Sequence, residues 1–120
     1  MNPIVPHEPQ TVRETLRRIQ AVIRTQDLDP VRARDCLMTL TALLGTCLEE
    51  IREADAAYAQ VLLGHLNSTD AANRAKIKAE ITPEYQRRQE ARNTHTAMIE
   101  MIRSLKHYLR SQEEEMRLAR

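Results

Sequence analysis

Mostly apolar side chains recur every seven residues through the middle third of the chain. One position of the repeat holds Leu37, Leu44, Ile51, Tyr58 and His65, and the offset position holds Leu40, Cys47, Ala54 and Val61. A mean spacing of about 3.5 residues is typical of a helix that packs along its length against a second helix. Asp29 is a preferred N-cap residue and Pro30 suits the first helical position, so the pattern predicts a long helix that starts at Pro30.

A second seam with the same spacing runs through the last third of the chain. Its members are Ala91, His95, Met98, Ile102, Leu105, Leu109 and Met116, and it is widened by Ile99, Met101 and Tyr108. Thr82 and Pro83 precede this seam and again combine a capping residue with a proline. We therefore expect a helix break or bend within about two residues of Thr82.

Shorter segments surround these two helices. Thr11 and Glu14 form a capping box, which predicts a first helix that starts at Thr11. The apolar stripe of this helix consists of Val12, Leu16, Ile19 and Ile23, and the pattern ends at residues 26–28. Residues 1–10 contain three prolines and are expected to form a flexible arm.

The connection between the long helices is predicted to contain a further helix. Residues 67–70 (Asn-Ser-Thr-Asp) are all capping residues, so they should end the long helix and start the next one. Residues 71–81 are rich in Ala, Lys and Glu and are predicted to be helical.

Together these elements predict an all-α fold. The long helices should form an antiparallel helical hairpin, and the extra N-terminal helix should complete a three- to four-helix bundle with coiled-coil-like seams. Residues 11–120 would then be a single domain that follows the arm of residues 1–10. A turn near residue 68 would place carboxylates of the second helix opposite residues 83–88. These carboxylates are Glu49, Glu50 and Glu53, and their expected partners are Arg87 and Arg88.

Charge and cysteine usage restrict the classes of function. The chain has 18 Lys and Arg against 17 Asp and Glu, and a net charge of +1 gives no strong global attraction to nucleic acid or to an anionic membrane. Cys36 and Cys47 lie about 16 Å apart along one predicted helix, which excludes an intrachain disulfide and suits a reducing compartment. The first ten residues lack the apolar core of a signal peptide, and no apolar run reaches bilayer-spanning length. We therefore expect a cytoplasmic protein with no membrane partner.

The sequence contains no recognisable catalytic or metal-binding arrangement. A metal site in a helical bundle needs Glu-x-x-His pairs, and none of the four histidines has an acidic residue three positions earlier. His65 and His95 lack the neighbours of a phosphotransfer histidine, and Arg88 is expected to form an ion pair instead of holding an anionic substrate. We therefore expect no enzyme activity, no cofactor, no metal and no small-molecule substrate.

Basic residues make nucleic-acid binding the alternative hypothesis. The residues that could neutralise phosphates are Arg13, Arg17, Arg18, Arg24, Arg32, Arg34, Arg74, Lys76 and Lys78, followed by Arg87, Arg88 and Arg92. The chain has no aromatic platform for single strands and no helix-turn-helix with a Gly-bearing turn, and Glu14 lies near Arg17. The same residues can equally form a solvated helix surface, so the sequence leaves both interpretations open.

The end of the last helix predicts self-association. Its seam extends past the part that the second helix can cover, and its burial needs the first helix, a second copy or both. We expect a homo-oligomer, with a dimer favoured, and the predicted interface residues are Leu105, Tyr108, Leu109 and Met116. The glutamates at 113–115 lie where the helix dipole disfavours negative charge, so a cationic partner is expected, from the first helix or from a second subunit.

A set of short motifs lies in the C-terminal part of the chain, at residues 81–85 (Ile-Thr-Pro-Glu-Tyr), at Ala91 and Arg92, at residues 102–110 and at residues 113–117. With these motifs the chain resembles small helical proteins encoded by tailed phages and prophages. The genes of such proteins often lie among recombination, replication or packaging genes, so the resemblance implies a phage accessory protein. It assigns no role to any residue. The leading hypothesis is a non-enzymatic helical adaptor, inhibitor or assembly factor that binds itself and another protein.

Overall fold

The computed structural model describes residues 11–25, 28–68 and 71–119. Across these residues the chain forms four helices, namely α1 (Val12–Arg24), α2 (Pro30–Asn67), α3 (Ala72–Glu80) and α4 (Pro83–Leu118). None of the described residues belongs to a strand. The predicted all-α helical fold is therefore confirmed, while the predicted flexible arm of residues 1–10 lies outside the described residues.

Two helices begin where their capping residues predict. The hydroxyl of Thr11 accepts a hydrogen bond from the amide of Glu14 at 3.1 Å, one residue before α1 begins. Oδ1 of Asp29 accepts a hydrogen bond from the amide of Arg32 at 2.8 Å, and α2 begins at Pro30. Both starts are local, because a cap needs only side chains within one turn of the helix end.

The break between α3 and α4 is centred on Thr82, as predicted. Its hydroxyl donates to the carbonyl of Ala79 at 2.6 Å and accepts from the amide of Tyr85 at 3.3 Å. One side chain thus satisfies a carbonyl at the end of α3 and an amide at the start of α4, where Pro83 takes the first helical position.

The start of α3 differs from the prediction. Helix α2 ends at Asn67 as expected, but the N-cap of α3 is Ala71, whose side chain forms no capping hydrogen bond. Thr69 and Asp70 lie outside the described residues. Helix α3 is instead held by packing, because Ala75 and Ala79 on one of its faces are fully buried.

The contacts within the chain group its residues into two compact units. That residues 11–120 form a single domain stays a prediction. The first unit contains α1, the part of α2 up to Leu43 and the part of α4 from Glu100. Its buried apolar side chains are Val12, Leu16, Ile19, Ala33, Leu40 and Leu105. The hydroxyl of Tyr108 donates to the carbonyl of Leu28 at 3.3 Å, which ties α4 to the residues that precede α2.

The second unit contains α2 from Leu44, α3 and α4 up to Ile99. Its buried apolar side chains are Cys47, Ala54, Ala75, Ala79 and Met98. Three of them are alanines, and small side chains let helices approach closely.

The two predicted seams are the contact surfaces of the long helices. In α2 the most buried row is Leu40, Cys47 and Ala54, each at most 1% exposed. In α4 the seam is buried at Met98 and Leu105. It does not extend to Met116, which is 65% exposed, so the predicted seam is too long at its C-terminal end.

The predicted ion pairs between α2 and α4 are only partly formed. Arg87 pairs with Glu53 at 3.7 Å, as expected. Arg88 pairs instead with Asp55 at 3.0 Å, and Glu49 pairs at 2.8 Å with Arg52 of its own helix. The residues of α2 that pair with α4 therefore lie nearer the C-terminal end of α2, by about one helical turn, than a simple turn near residue 68 predicts. Helix α3 occupies this connection.

Candidate interaction surfaces

An open groove of about 480 Å³ lies in the second unit between α2, α3 and α4. Its α2 wall is Tyr58, Leu62 and Leu66, its α3 wall is Ala72, Lys76 and Glu80, and α4 adds Tyr85 and Arg88. Side chains four residues apart lie on the same face of a helix, so each wall is a single row of side chains along its helix. The groove therefore runs between a row of side chains on α2 and a row on α3.

The α2 wall of the groove is apolar and uncharged. Residues 56–68 contain no Asp, Glu, Lys or Arg, although 29% of the chain is charged. Leu66 is 43% exposed, and the neighbouring Leu63 is 51% exposed. The α2 wall is therefore apolar surface that is partly exposed to solvent.

Aromatic and charged side chains hold the α4 end of the groove in place. The rings of Tyr58 and Tyr85 lie 5.4 Å apart at an angle of 53°, and the guanidinium carbon of Arg88 lies 5.1 Å from the centre of the Tyr58 ring. Nε of Arg88 donates to Asp55, and Nε2 of Gln89 donates to the Tyr85 hydroxyl at 2.7 Å. These contacts fix the side chains before any ligand binds.

The α3 wall of the groove carries one cation and one carboxylate. The predicted basic residues Arg74, Lys76 and Lys78 are all exposed on α3. Lys76 lines the groove, whereas Arg74 and Lys78 are four residues apart and share another face of the helix. Glu80 is the one carboxylate of the lining.

The predicted phosphate-binding residues of the first unit are all on its surface. The exposed side chains are Arg13, Arg17, Arg18, Arg24, Arg32 and Arg34. Arg13, Arg17 and Arg24 are separated by four and seven residues and share one face of α1, while Val12, Leu16 and Ile19 are buried on another.

The three arginines at the start of α4 form ion pairs with α2. Arg87 pairs with Glu53, and both Arg88 and Arg92 pair with Asp55, the latter at 2.9 Å. Two carboxylates thus face three guanidinium groups at the contact between α2 and α4.

The residues predicted to form a self-association interface differ in how far they are exposed to solvent. Leu105 is 1% exposed in the core of the first unit, so it cannot form a surface contact. Tyr108 and Leu109 are half-buried. Met116 is exposed, and Leu118, which the sequence analysis did not select, is 87% exposed. The available apolar surface on α4 is therefore at its very end.

Both cysteines are free thiols in protected surroundings. Burial raises the pKa of Cys47, and the nearby Glu50 raises it further. Burial and the neighbouring Asp35 raise the pKa of Cys36, against a smaller opposite effect of Arg18. A raised pKa keeps both thiols protonated at neutral pH, which lowers their reactivity.

In the part of the chain that the structure describes, no group of three or more His, Cys, Asp or Glu side chains is placed to hold a metal ion. Within the same residues, no helix combines the length and apolar character needed to cross a bilayer. The sequence matches no protein-family model, and comparisons with curated proteins and with solved structures give no significant match.

Proposed function

We propose that this chain is a non-enzymatic helical interaction protein that acts by association, as an oligomeric adaptor, inhibitor or assembly factor. The observation that carries the proposal is the groove of the second unit with its uncharged, partly exposed α2 wall. A phage-encoded accessory role, suggested by the C-terminal resemblance, is part of this proposal.

The shape of the groove suits recognition of a helix or an extended segment. In helix-in-groove recognition, apolar anchors spaced three or four residues apart on one partner enter a groove on the other. The row of Tyr58, Leu62 and Leu66 has the same four-residue spacing, so a segment with matching anchors can contact all three side chains.

Apolar burial in the groove contributes to the free energy of binding. Full burial of a leucine side chain contributes about 1.5–3 kcal/mol, and Leu66 is 43% exposed, so covering it contributes roughly 1 kcal/mol. Because Tyr58, Tyr85 and Arg88 are already held by contacts within the unit, binding orders few additional side chains.

Affinity capture with groove variants tests the proposal. The full chain, its Leu66→Lys variant and its Met38→Lys variant would be used as bait in an extract of the native cell, with bound proteins quantified by mass spectrometry. Met38 is 71% exposed and does not line the groove, so it is a matched control. We expect a protein that is enriched by the wild type and by Met38→Lys but lost with Leu66→Lys. Equal enrichment by both variants, or no enriched protein, contradicts the proposal.

A second candidate is nucleic-acid binding through α1, favoured by the shared exposed face of Arg13, Arg17 and Arg24. The ends of this stripe are about 16 Å apart along the helix, enough to contact several phosphates of one strand. Contacts of this kind are electrostatic and independent of sequence, so affinity should fall steeply as salt increases.

The test is the binding of a labelled duplex and a labelled single strand at two salt concentrations. The double variant Arg17→Gln, Arg24→Gln should bind more weakly than the wild type. A matched control, Arg103→Gln with Lys106→Gln, removes the same charge from exposed positions on α4 and should bind like the wild type. Absence of binding to both probes at low salt rejects this candidate.

A further inference from the structure

The last turns of α4 expose large apolar side chains next to a run of glutamates. Met116 is 65% exposed and Leu118 is 87% exposed. The glutamates at 113–115 are also exposed, close to the helix C-terminus, where the helix dipole disfavours negative charge. Arg117 offsets one of the three charges, so the segment remains anionic and apolar.

Negative charge and exposed apolar surface lie on the same face of the last turns of α4. Glu114 and Leu118 are four residues apart and lie in one row, and Glu115 is adjacent to that row. The last turns of α4 therefore present a leucine and two carboxylates on neighbouring positions.

The groove of the second unit has the complementary arrangement. Its α2 wall is apolar at Leu62 and Leu66, and its α3 wall carries Lys76 between Ala72 and Glu80. A segment with Leu118 on the α2 side and Glu114 near Lys76 would meet an apolar wall and a cation together.

We propose that the groove of one copy binds residues 113–118 of a second copy. The inference rests on the groove being the association surface, as proposed above, and names its occupant. The segment belongs to the first unit and the groove to the second, so the contact joins two different surfaces of the chain.

The carboxylate of Glu80 sets the direction of the bound segment. It lies at the end of the α3 row next to the start of α4 and would repel the glutamates of the partner. The acidic positions of the segment therefore lie nearer Lys76 and Ala72, at the opposite end of the row.

Sedimentation velocity of the full chain with charge-reversal variants tests the inference. The wild type should associate increasingly with concentration. Lys76→Glu in the groove and Glu114→Lys in the segment should each weaken association by about tenfold, because like charges then face each other. Lys106→Glu, a reversal at an exposed lysine outside both surfaces, should associate like the wild type. Circular dichroism would confirm that each variant has wild-type helix content.

Combining the two reversals in one chain is the decisive measurement. In the double variant Lys76→Glu, Glu114→Lys, every reversed groove faces a reversed segment, so association should return to within about threefold of wild type. Failure of the double variant to restore association, or a wild type that stays monomeric, overturns the inference.

The two experiments distinguish failure of this inference from failure of the proposed function. A wild type that stays monomeric but loses a captured protein with Leu66→Lys refutes the second copy as occupant and leaves the groove as the interaction surface. Self-association and capture that are both unchanged by Leu66→Lys refute the groove itself.

Discussion

Replacement of Asp55 by Asn should destabilise the second unit by about 1–2 kcal/mol. Oδ1 of Asp55 accepts from Nε of Arg88 at 3.0 Å, and Oδ2 accepts from Nη2 of Arg92 at 2.9 Å. The side chains of Asp55, Arg88 and Arg92 are 37%, 28% and 47% exposed. Exposed ion pairs contribute about 0.2–1 kcal/mol each, and the less exposed pair with Arg88 belongs at the upper end of this range. Without the carboxylate the two guanidinium groups also repel each other, which adds a few tenths of a kcal/mol.

Urea unfolding followed by circular dichroism measures this change. Slopes of about 1–3 kcal/mol per molar urea convert the expected loss into a fall of the unfolding midpoint by roughly 0.5–1 M. Glu49→Gln is the matched control, because it removes a carboxylate of the same helix whose pair with Arg52 is 79% and 52% exposed. The control should cost less than about 0.5 kcal/mol.

A double-mutant cycle assigns the loss to the ion pairs. The effect of Asp55→Asn should shrink in a background that carries Arg88→Gln and Arg92→Gln, because the carboxylate then has no cation to pair with. The reasoning is refuted if Asp55→Asn costs no more than Glu49→Gln, or if its cost is the same in both backgrounds.

Three further predictions concern burial. Met98→Ala should cost about 2–5 kcal/mol because Met98 is fully buried, whereas Met116→Ala should cost less than about 0.5 kcal/mol; equal costs in urea unfolding would contradict the burial pattern. Burial and the neighbouring carboxylate of Glu53 raise the pKa of Glu50 in the folded protein. The stability contributed by the neutral Glu50 side chain is therefore fully present below the unfolded pKa, and it is lost as pH rises through the folded pKa and the side chain becomes charged. Glu50→Gln should therefore raise the melting temperature at pH 7, and the gain should vanish below about pH 4; a gain independent of pH would argue against this cause. Iodoacetamide should label Cys36 slowly in the folded protein and Cys47 only after unfolding, and peptide mass spectrometry would reveal fast labelling of native Cys47 if the core is open.

The groove illustrates what sequence patterns miss. The uncharged run of residues 56–68 is visible in the sequence, where its spacing indicates only part of a seam. Its outward row, Leu62 and Leu66, forms one wall of a groove because α3 lies beside it, and a groove needs two walls. The sequence predicts Lys76 as a phosphate contact, and the structure places it in that groove. The separation of Lys76 from Arg74 and Lys78 follows from their positions on a helix, so the sequence alone predicts it.

The sequence by itself determined the helices, most of their ends and the faces that are buried. Thr11, Asp29 and Thr82 act within one turn of the helix ends they cap, and the seams of α2 and α4 follow from residue spacing alone, so no distant partner is needed to predict them. The tertiary structure decided the partners. Arg88 meets Asp55 instead of a glutamate, and Leu62 faces a groove, because the path of α3 sets which side chains of α2 and α4 come together. That path depends on packing between residues far apart in sequence, which local spacing does not specify.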